Sequence, residues 1–560
     1  MRRTGLSVLL GLAVGTLGAA RGQQPMLQLQ GQPYFGGDMT LHVTAPSDVG
    51  DLVWLGVGLN PLPLDAPVPT SKGPWYIGNL LTSFLIGTIQ GNGRLDMPFT
   101  MPPPTPGVEG TPIALQAYVS PTLSNPASLN LDEPYLLAAA ADVIESPEPS
   151  VGADFGTVVG VGDLNADGFA DLAIGATFED VAGVGKAGRV YVLWGPTFMS
   201  YVALSSANPV QYAAFGASVT VVDLTDDGVA DLVIAESPGD PPAPDAHAKI
   251  HVFQGGTSFV TTPSMTIASP GTGLSYIVFG RMLVVGDYNG DGHRDLAVGN
   301  FNEAVAGFDT AGRIDVFWGP DFASMLVIEN PQPGGSDYFG SALATADLNG
   351  DGIDDLIEGS GRDDVGGVVN VGSVHLFLGP GLTLLKTIDN PLPQGFNSRF
   401  GEEVHGADLD GDGLWEVIAP DLKNRVYVFW APGFSDYADI RKPEAIDTVS
   451  IGGVSFGYFV ESGDVNGDGI IDILVSDIFE GVLSCGFGKE GTLFAVLGPY
   501  FSTFDVIPNP LAACWDSFSR PIVLADVDGD GNAELITASQ TADAGGLENT
   551  GRVFVYPGGP

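Results

Sequence analysis

Beyond about residue 150 the apolar residues fall into short runs that alternate with polar ones, and glycine or proline closes nearly every run. Gly188-Arg-Val-Tyr-Val-Leu-Trp-Gly195 and Gly312-Arg-Ile-Asp-Val-Phe-Trp-Gly319 carry the two-residue period of a half-buried strand, whose side chains point to opposite faces in turn. No stretch after residue 22 reads as a long helix, and 79 glycines and 42 prolines would penalise one. The expected class is all-β.

The strands recur as a unit. A nine-residue acidic pattern, D-x-[ND/T]-x-D-G-x-x-[DE], starts at Asp163, Asp223, Asp287, Asp347, Asp408, Asp464 and Asp526, at intervals of 56 to 64 residues. Eight positions before each stands a phenylalanine: Phe155, Phe215, Phe279, Phe339, Phe400, Phe456 and Phe518. Glycine follows it in six copies and Ser519 in the seventh. After each acidic stretch come an apolar run such as Asp171-Leu-Ala-Ile-Gly175, a variable segment, an alternating strand, and a weaker strand such as Leu326-Val-Ile-Glu-Asn-Pro331. Four strands per unit are the make-up of a propeller blade, so residues 136–560 are expected to form a seven-bladed β-propeller. Small residues at Gly156 to Gly162 and Ser341 to Ala346 suit innermost strands, where the sheets crowd the axis.

The seventh copy reaches Pro560 without a fourth strand. Val143-Ile-Glu-Ser-Pro-Glu-Pro149, which precedes the first copy, matches Val327-Ile-Glu-Asn-Pro-Gln-Pro333, which precedes the fourth. Residues 136–148 are therefore expected to close the last blade and remove a free sheet edge.

Phe-Gly, an acidic loop and a Gly-x-Val-x-Val strand, seven times over, resemble the FG-GAP repeats of integrin α-chain propellers and of their bacterial secreted relatives. That resemblance covers residues 137–560. It implies a propeller whose ligand face lies opposite the acidic loops.

The loops carry the chemistry. Calcium takes six to eight hard oxygens, and a tight turn offers side chains at positions 1, 3, 5 and 9 and a carbonyl at 7, with glycine at 6 for the bend. The first loop supplies Asp163, Asn165, Asp167, the Phe169 carbonyl and Asp171. The third offers Asp287, Asn289, Asp291, the His293 carbonyl and Asp295, and the fourth Asp347, Asn349, Asp351, Ile353 and Asp355. The sixth offers Asp464, Asn466, Asp468, Ile470 and Asp472. The fifth (Asp408, Asp410, Asp412, Leu414, Glu416) and seventh (Asp526, Asp528, Asp530, Asn532, Glu534) end in glutamate. In the second, Asp223, Asp227, Val229 and Asp231 surround Thr225, a poorer ligand, which makes this the weakest of up to seven Ca2+ sites. An EF-hand is excluded because position 12 of the first loop is Ile174 rather than glutamate.

Net charge is −46, and the loops hold 25 of the 67 acidic residues. Such a chain repels nucleic acid and anionic membranes and attracts cations. Met1-Arg-Arg, an apolar stretch from Leu6 to Ala20 and Ala20-Arg21-Gly22 read as a signal peptide over residues 1–22, giving a secreted or cell-surface protein without a membrane span after cleavage. Residues 23–135 lack the repeat, and their alternating runs predict a small β-sandwich-like domain. Cys485 and Cys514 are either bridged or two buried thiols.

The segments between second and third strands, among them Thr177 to Lys186, Phe301 to Ala311 and Arg362 to Asn370, are long and varied. Variable loops on a rigid scaffold suit recognition of an extracellular protein or glycan ligand. Phe178, Phe301 and Phe308 are candidate contacts. Catalytic signals are thin. Gly453-Val-Ser455-Phe-Gly457 fits G-x-S-x-G but enters a strand rather than a strand-to-helix elbow. Six histidines form no metal-ligand spacing, and His251 and His375 are expected on a solvated strand face. The reading is an adhesion or recognition module, with a propeller enzyme such as a polysaccharide lyase or phospholipase as the alternative.

Overall fold

A computed structural model of the chain divides into two compact units, residues 1–134 and 135–560. It describes residues 141–560 except 238–247, 272–277, 394, 443–455, 479–490, 511–517, 544–545 and 559–560, and within residues 1–140 only the backbone of strands. Both cysteines and Gly453 to Ser455 lie outside the described residues.

In the N-terminal unit one sheet orders Val8–Leu12, Ile113–Ser120, Leu52–Leu59 and Asn79–Thr88. A second orders Met26–Gly31, Asp38–Thr44 and Arg94–Thr100.

The C-terminal unit is a seven-bladed β-propeller of seven four-stranded antiparallel sheets. Blade one shows the plan. Phe155–Gly162 lies innermost, followed outward by Asp171–Ala176, Arg189–Leu193 and Tyr201–Leu204. The second strand is buried along its whole length in every blade, because neighbouring sheets cover both its faces. Each core cluster therefore lies between two blades. One joins Phe400, Val374 and Ile357 to Tyr427 and Phe429, and another joins Phe155, Leu172 and Tyr191 to Ile536 and Val553.

The Phe-Gly pair makes that contact. All seven phenylalanines are buried. The Phe155 N–H donates to the Thr550 carbonyl of blade seven (3.0 Å), and Phe215, Phe339 and Phe400 make the same bond one blade back to Ala187, Ala311 and Val371 (2.8 to 3.0 Å). The following glycine takes a left-handed backbone, φ +87° at Gly340, where a Cβ would meet the Arg313 carbonyl at 2.8 Å. Ser519 holds φ +77° in the seventh blade, and its hydroxyl donates to the Thr492 carbonyl (3.2 Å).

Blade seven is built from Phe518–Ala525, Glu534–Ser539 and Arg552–Tyr556. Its fourth strand is Asp142–Glu145, antiparallel to Arg552–Tyr556 with Val143 opposite Phe554 and Ile144 opposite Val553. Arg552 adds an ion pair to Glu145 at 3.1 Å.

Candidate metal centres

Each acidic loop joins the first strand of a blade to the second, so all seven lie on one face of the disc. The backbone is bent by glycine at position 6, whose φ lies between +81° and +95° in all seven copies with no atom near enough to crowd a Cβ. Conformation rather than space therefore demands glycine there. The bend brings the chain around the first aspartate. Asp163 Oδ2 accepts the Gly168 N–H at 2.8 Å, and the same bond spans 2.7 to 3.0 Å in the other six loops. Asn165 Oδ1 accepts the Asp167 N–H at 2.8 Å, and Asp167 Oδ1 the Phe169 N–H at 3.0 Å.

Position 9 is different in kind. Asp171, Asp231, Asp295, Asp355 and Asp472 are fully buried, and Glu416 and Glu534 nearly so. One carboxylate oxygen takes the N–H of position 2, as Leu164 donates to Asp171 Oδ2 at 3.0 Å. In six blades the other takes the N–H of the glycine that ends the third strand, as Gly195 donates to Asp171 Oδ1 at 2.9 Å. This residue therefore pins the loop to the blade. Burial pushes the Asp171, Asp295, Asp355 and Asp472 carboxyls up to about 6 and Glu416 up to about 7, against the backbone donors that favour the ionised form.

In the fifth loop, oxygens of Asp408, Asp410 and Glu416 lie within 4.8 Å of one another, as do those of Asp526, Asp528 and Glu534 in the seventh. The second loop departs from the others. The Thr225 N–H turns onto Asp231 (2.9 Å), and Gln254 Nε2 donates to Asp227 Oδ2 (2.8 Å). Asp226 pairs with His293 Nδ1 across the blade boundary at 2.7 Å, and that hydrogen bond raises the His293 pKa. The side chain of His293 thus joins two loops, a role its place in the sequence did not suggest. Asp354 likewise accepts the Asp287 N–H (2.8 Å) from the preceding loop.

On the opposite face the second-to-third loops carry aromatic and basic side chains. Lys186 Nζ sits 4.9 Å from the Phe178 ring centre and 5.6 Å from that of Tyr212, and Arg362 lies 4.3 Å from Tyr338. Phe178, Tyr212 and Phe308 are exposed, whereas Phe301 is half-buried against Tyr338. His375 departs from the sequence reading. It is buried, with Nδ1 2.9 Å from buried Glu358, because the third strand of blade four is covered on both faces. His251 is half-buried, 2.8 Å from Glu236.

The fold and loops define a class, the β-propeller with an acidic turn in every blade. The chain carries FG-GAP repeats, and its C-terminal unit is an FG-GAP propeller of the integrin-α-like kind. FG-GAP repeats match at residues 155–193, 279–317, 339–377 and 522–556, and an FG-GAP-like repeat at 408–475. Integrin alpha-PS2 of Drosophila melanogaster is 31% identical over 215 residues, 35% of this chain and 15% of its own length. Phosphatidylinositol-glycan-specific phospholipase D of Homo sapiens is 26% identical over 398 residues, 62% of this chain and 46% of its own. Integrin alpha-IIb of Mus musculus is 36% identical over 155 residues, 25% of this chain and 14% of its own. The chain thus spans less than half the length of these relatives. Among the described residues no helix is long and apolar enough to cross a membrane.

Proposed function

We propose that this chain is an exported, calcium-stabilised recognition module that binds an extracellular protein or glycan on the face opposite its acidic loops. One observation carries the calcium assignment. The loops hold 23 carboxylates at positions 1, 3, 5 and 9, and among the described residues none of them is ion-paired to a lysine, arginine or histidine. Carboxylates gathered in this way need a counter-charge, and the mix of carboxylate, amide and carbonyl oxygens suits Ca2+ better than Mg2+, which prefers a small octahedral cage that keeps its waters. The ligands are those read from the sequence, Asp163, Asn165, Asp167, Phe169 and Asp171 in the first loop and their equivalents in the rest. The second loop is the weakest, since Thr225 stands at position 3 and Gln254 already donates to Asp227.

The same calcium would hold each turn rigid and leave the opposite face, with exposed Phe178, Tyr212 and Phe308, free to contact a ligand. Export follows from the basic, apolar, small-residue order of residues 1–22. The experiment is a panel of glycans and matrix proteins probed with the full chain in calcium. Binding that disappears on joint Phe178→Ala and Tyr212→Ala replacement, at unchanged Tm, supports the reading. Binding untouched by those changes but lost on altering the calcium face overturns it. A second reading, a propeller serving a hydrolase, draws on the similarity to phospholipase D and is tested by turnover of phosphatidylinositol-glycan or polysaccharide.

A further inference from the structure

The seven interfaces between blades are repeats of one another, so each serves as a control for the rest. At the end of its third strand, a blade turns through a hairpin such as Trp194-Gly-Pro-Thr-Phe198, and the residue at the far end packs against the blade before it. Phe259 reaches Trp194 with ring centres 5.5 Å apart, and Phe501 reaches Trp430 at 6.4 Å. Phe322, Leu382, Phe434 and Phe501 are buried in this way. The interface of blade seven with blade one differs in having a proline at the end of the third strand. Pro557 stands where blades one, three and five have Trp194, Trp318 and Trp430 and where blades two, four and six have Gln254, Leu378 and Leu497, and Phe198, like Phe259, is half-buried. A groove of about 680 Å3 opens there, on the face that carries the acidic loops, with Phe198 and Pro557 in its walls.

The groove has a definite chemistry. All four residues of the closing strand Asp142–Glu145 line it, with Ile144, Phe198 and Met199 among its apolar groups and Asp142 and Asp528 as exposed carboxylates, while Glu145 is paired with Arg552 and Glu534 is buried on the N–H groups of Val527 and Gly558. Among the described residues no basic side chain lines it. Asp142 is exposed, and Met199 is 89% exposed. The closing strand is the outermost of its sheet, paired on one side with Arg552–Tyr556 and, among the described residues, with no strand on the other. An unpaired edge is a template for another extended chain, to which it offers backbone hydrogen bonds, while alternate side chains settle into the groove.

We propose that this groove binds an extended segment of a partner protein in which lysine or arginine alternates with apolar residues, added as a fifth strand beside Asp142–Glu145. The apolar side chains fill the space beside Phe198 and Pro557, where blade one presents Trp194 to Phe259 and blade five Trp430 to Phe501. The cations meet carboxylates that calcium in the seventh loop only partly offsets, since its four acidic ligands outnumber the charge of one divalent ion. This surface is separate from the opposite-face ligand site, so either can fail without the other.

The test uses the full chain in calcium with two blocked, fluorescent six-residue peptides, one alternating valine and lysine and the other valine and glutamate. The lysine peptide is expected to bind, more weakly as salt rises, and to slow amide exchange along Asp142–Glu145. Asp142→Lys and Met199→Lys place a cation at exposed positions on opposite walls. Each is expected to weaken that peptide roughly tenfold with Tm unchanged. Equal binding of the glutamate peptide, protection confined to other strands, or no binding of either peptide at millimolar concentration overturns the proposal. So does self-association of the wild type that Asp142→Lys abolishes, which would give the groove to a second copy of this chain. Exchange protection is read on the wild type and does not depend on how the variants fold.

Discussion

Replacing Asp167 by asparagine separates what the loop owes to calcium from what it owes to its own hydrogen bonds. Asp167 is exposed, and its Oδ1 accepts the Phe169 N–H at 3.0 Å, a bond that an asparagine oxygen keeps. Without calcium the change removes a charge from a crowded acidic turn and costs no hydrogen bond, so stability should move by no more than about 0.5 kcal/mol. With calcium a charged ligand is lost. For a site with calcium at about 100 times its Kd, binding contributes about 2.7 kcal/mol, and a hundredfold loss of affinity leaves about 0.4. The difference, about 2.3 kcal/mol, is spread over the unfolding entropy of residues 135–560. At about 2.1 cal/mol/K per residue that entropy is about 0.9 kcal/mol/K, so the Tm should fall by about 2–3 °C. Calorimetry of wild type and Asp167→Asn, each in calcium and in EGTA, reads the effect. A Tm loss of the same size in both buffers would refute the assignment, because it would show that Asp167 holds the turn by itself.

Gly340→Ala and Gly168→Ala both place a side chain at positive φ, but only the first meets an obstacle, the Arg313 carbonyl at 2.8 Å. Denaturant unfolding should show a loss of about 1–2 kcal/mol for Gly168→Ala from backbone strain alone, and for Gly340→Ala a further 1–3 kcal/mol, roughly, from overpacking. Equal losses would mean that the blade boundary yields to the added methyl group. Burial raises Asp363 from the usual carboxylate range to about 7. Between about pH 4 and pH 7 the folded state therefore holds a proton that the unfolded state has released, and this group's contribution to stability falls as pH rises through that window. Asp363→Asn should flatten that part of the stability curve, measured by denaturant titration at fixed calcium, and an unchanged slope would put the proton elsewhere.

The blades were legible because their signals are local. A buried Phe, a left-handed Gly and an acidic turn each answer a requirement met within a few residues, and repetition multiplied them seven times. Ser519 could be placed in register despite breaking the rule, since the Phe518 before it and the loop after it keep their spacing. Less legible was whatever depends on the neighbouring blade. The sequence presents Asp171 as one ligand among five, whereas the fold also makes it the pin between Leu164 and Gly195, signalled only by a 24-residue spacing that recurs at Asp231 and Gly255. His375 alternates along its strand as a solvent-facing residue would, yet the adjoining sheet buries it with Glu358. The open groove was visible in principle, as a proline where blades one, three and five have tryptophan, but only once the end of the third strand was known to meet the next blade.

The pairing of Glu145 with Arg552 joins residues 407 positions apart, which sets an order of events at the ribosome. The strand that completes the disc is made before any blade, and its partner is made after all the others. At synthesis rates of about 5–20 residues per second, roughly 20–80 s pass between the two. Through that interval six blades can stack in turn on finished neighbours, while Val143 and Ile144 wait unpaired. The disc is thus latched last by its earliest-made piece, and a ribosome that stalls anywhere in the seventh repeat leaves an open arc with two sticky ends.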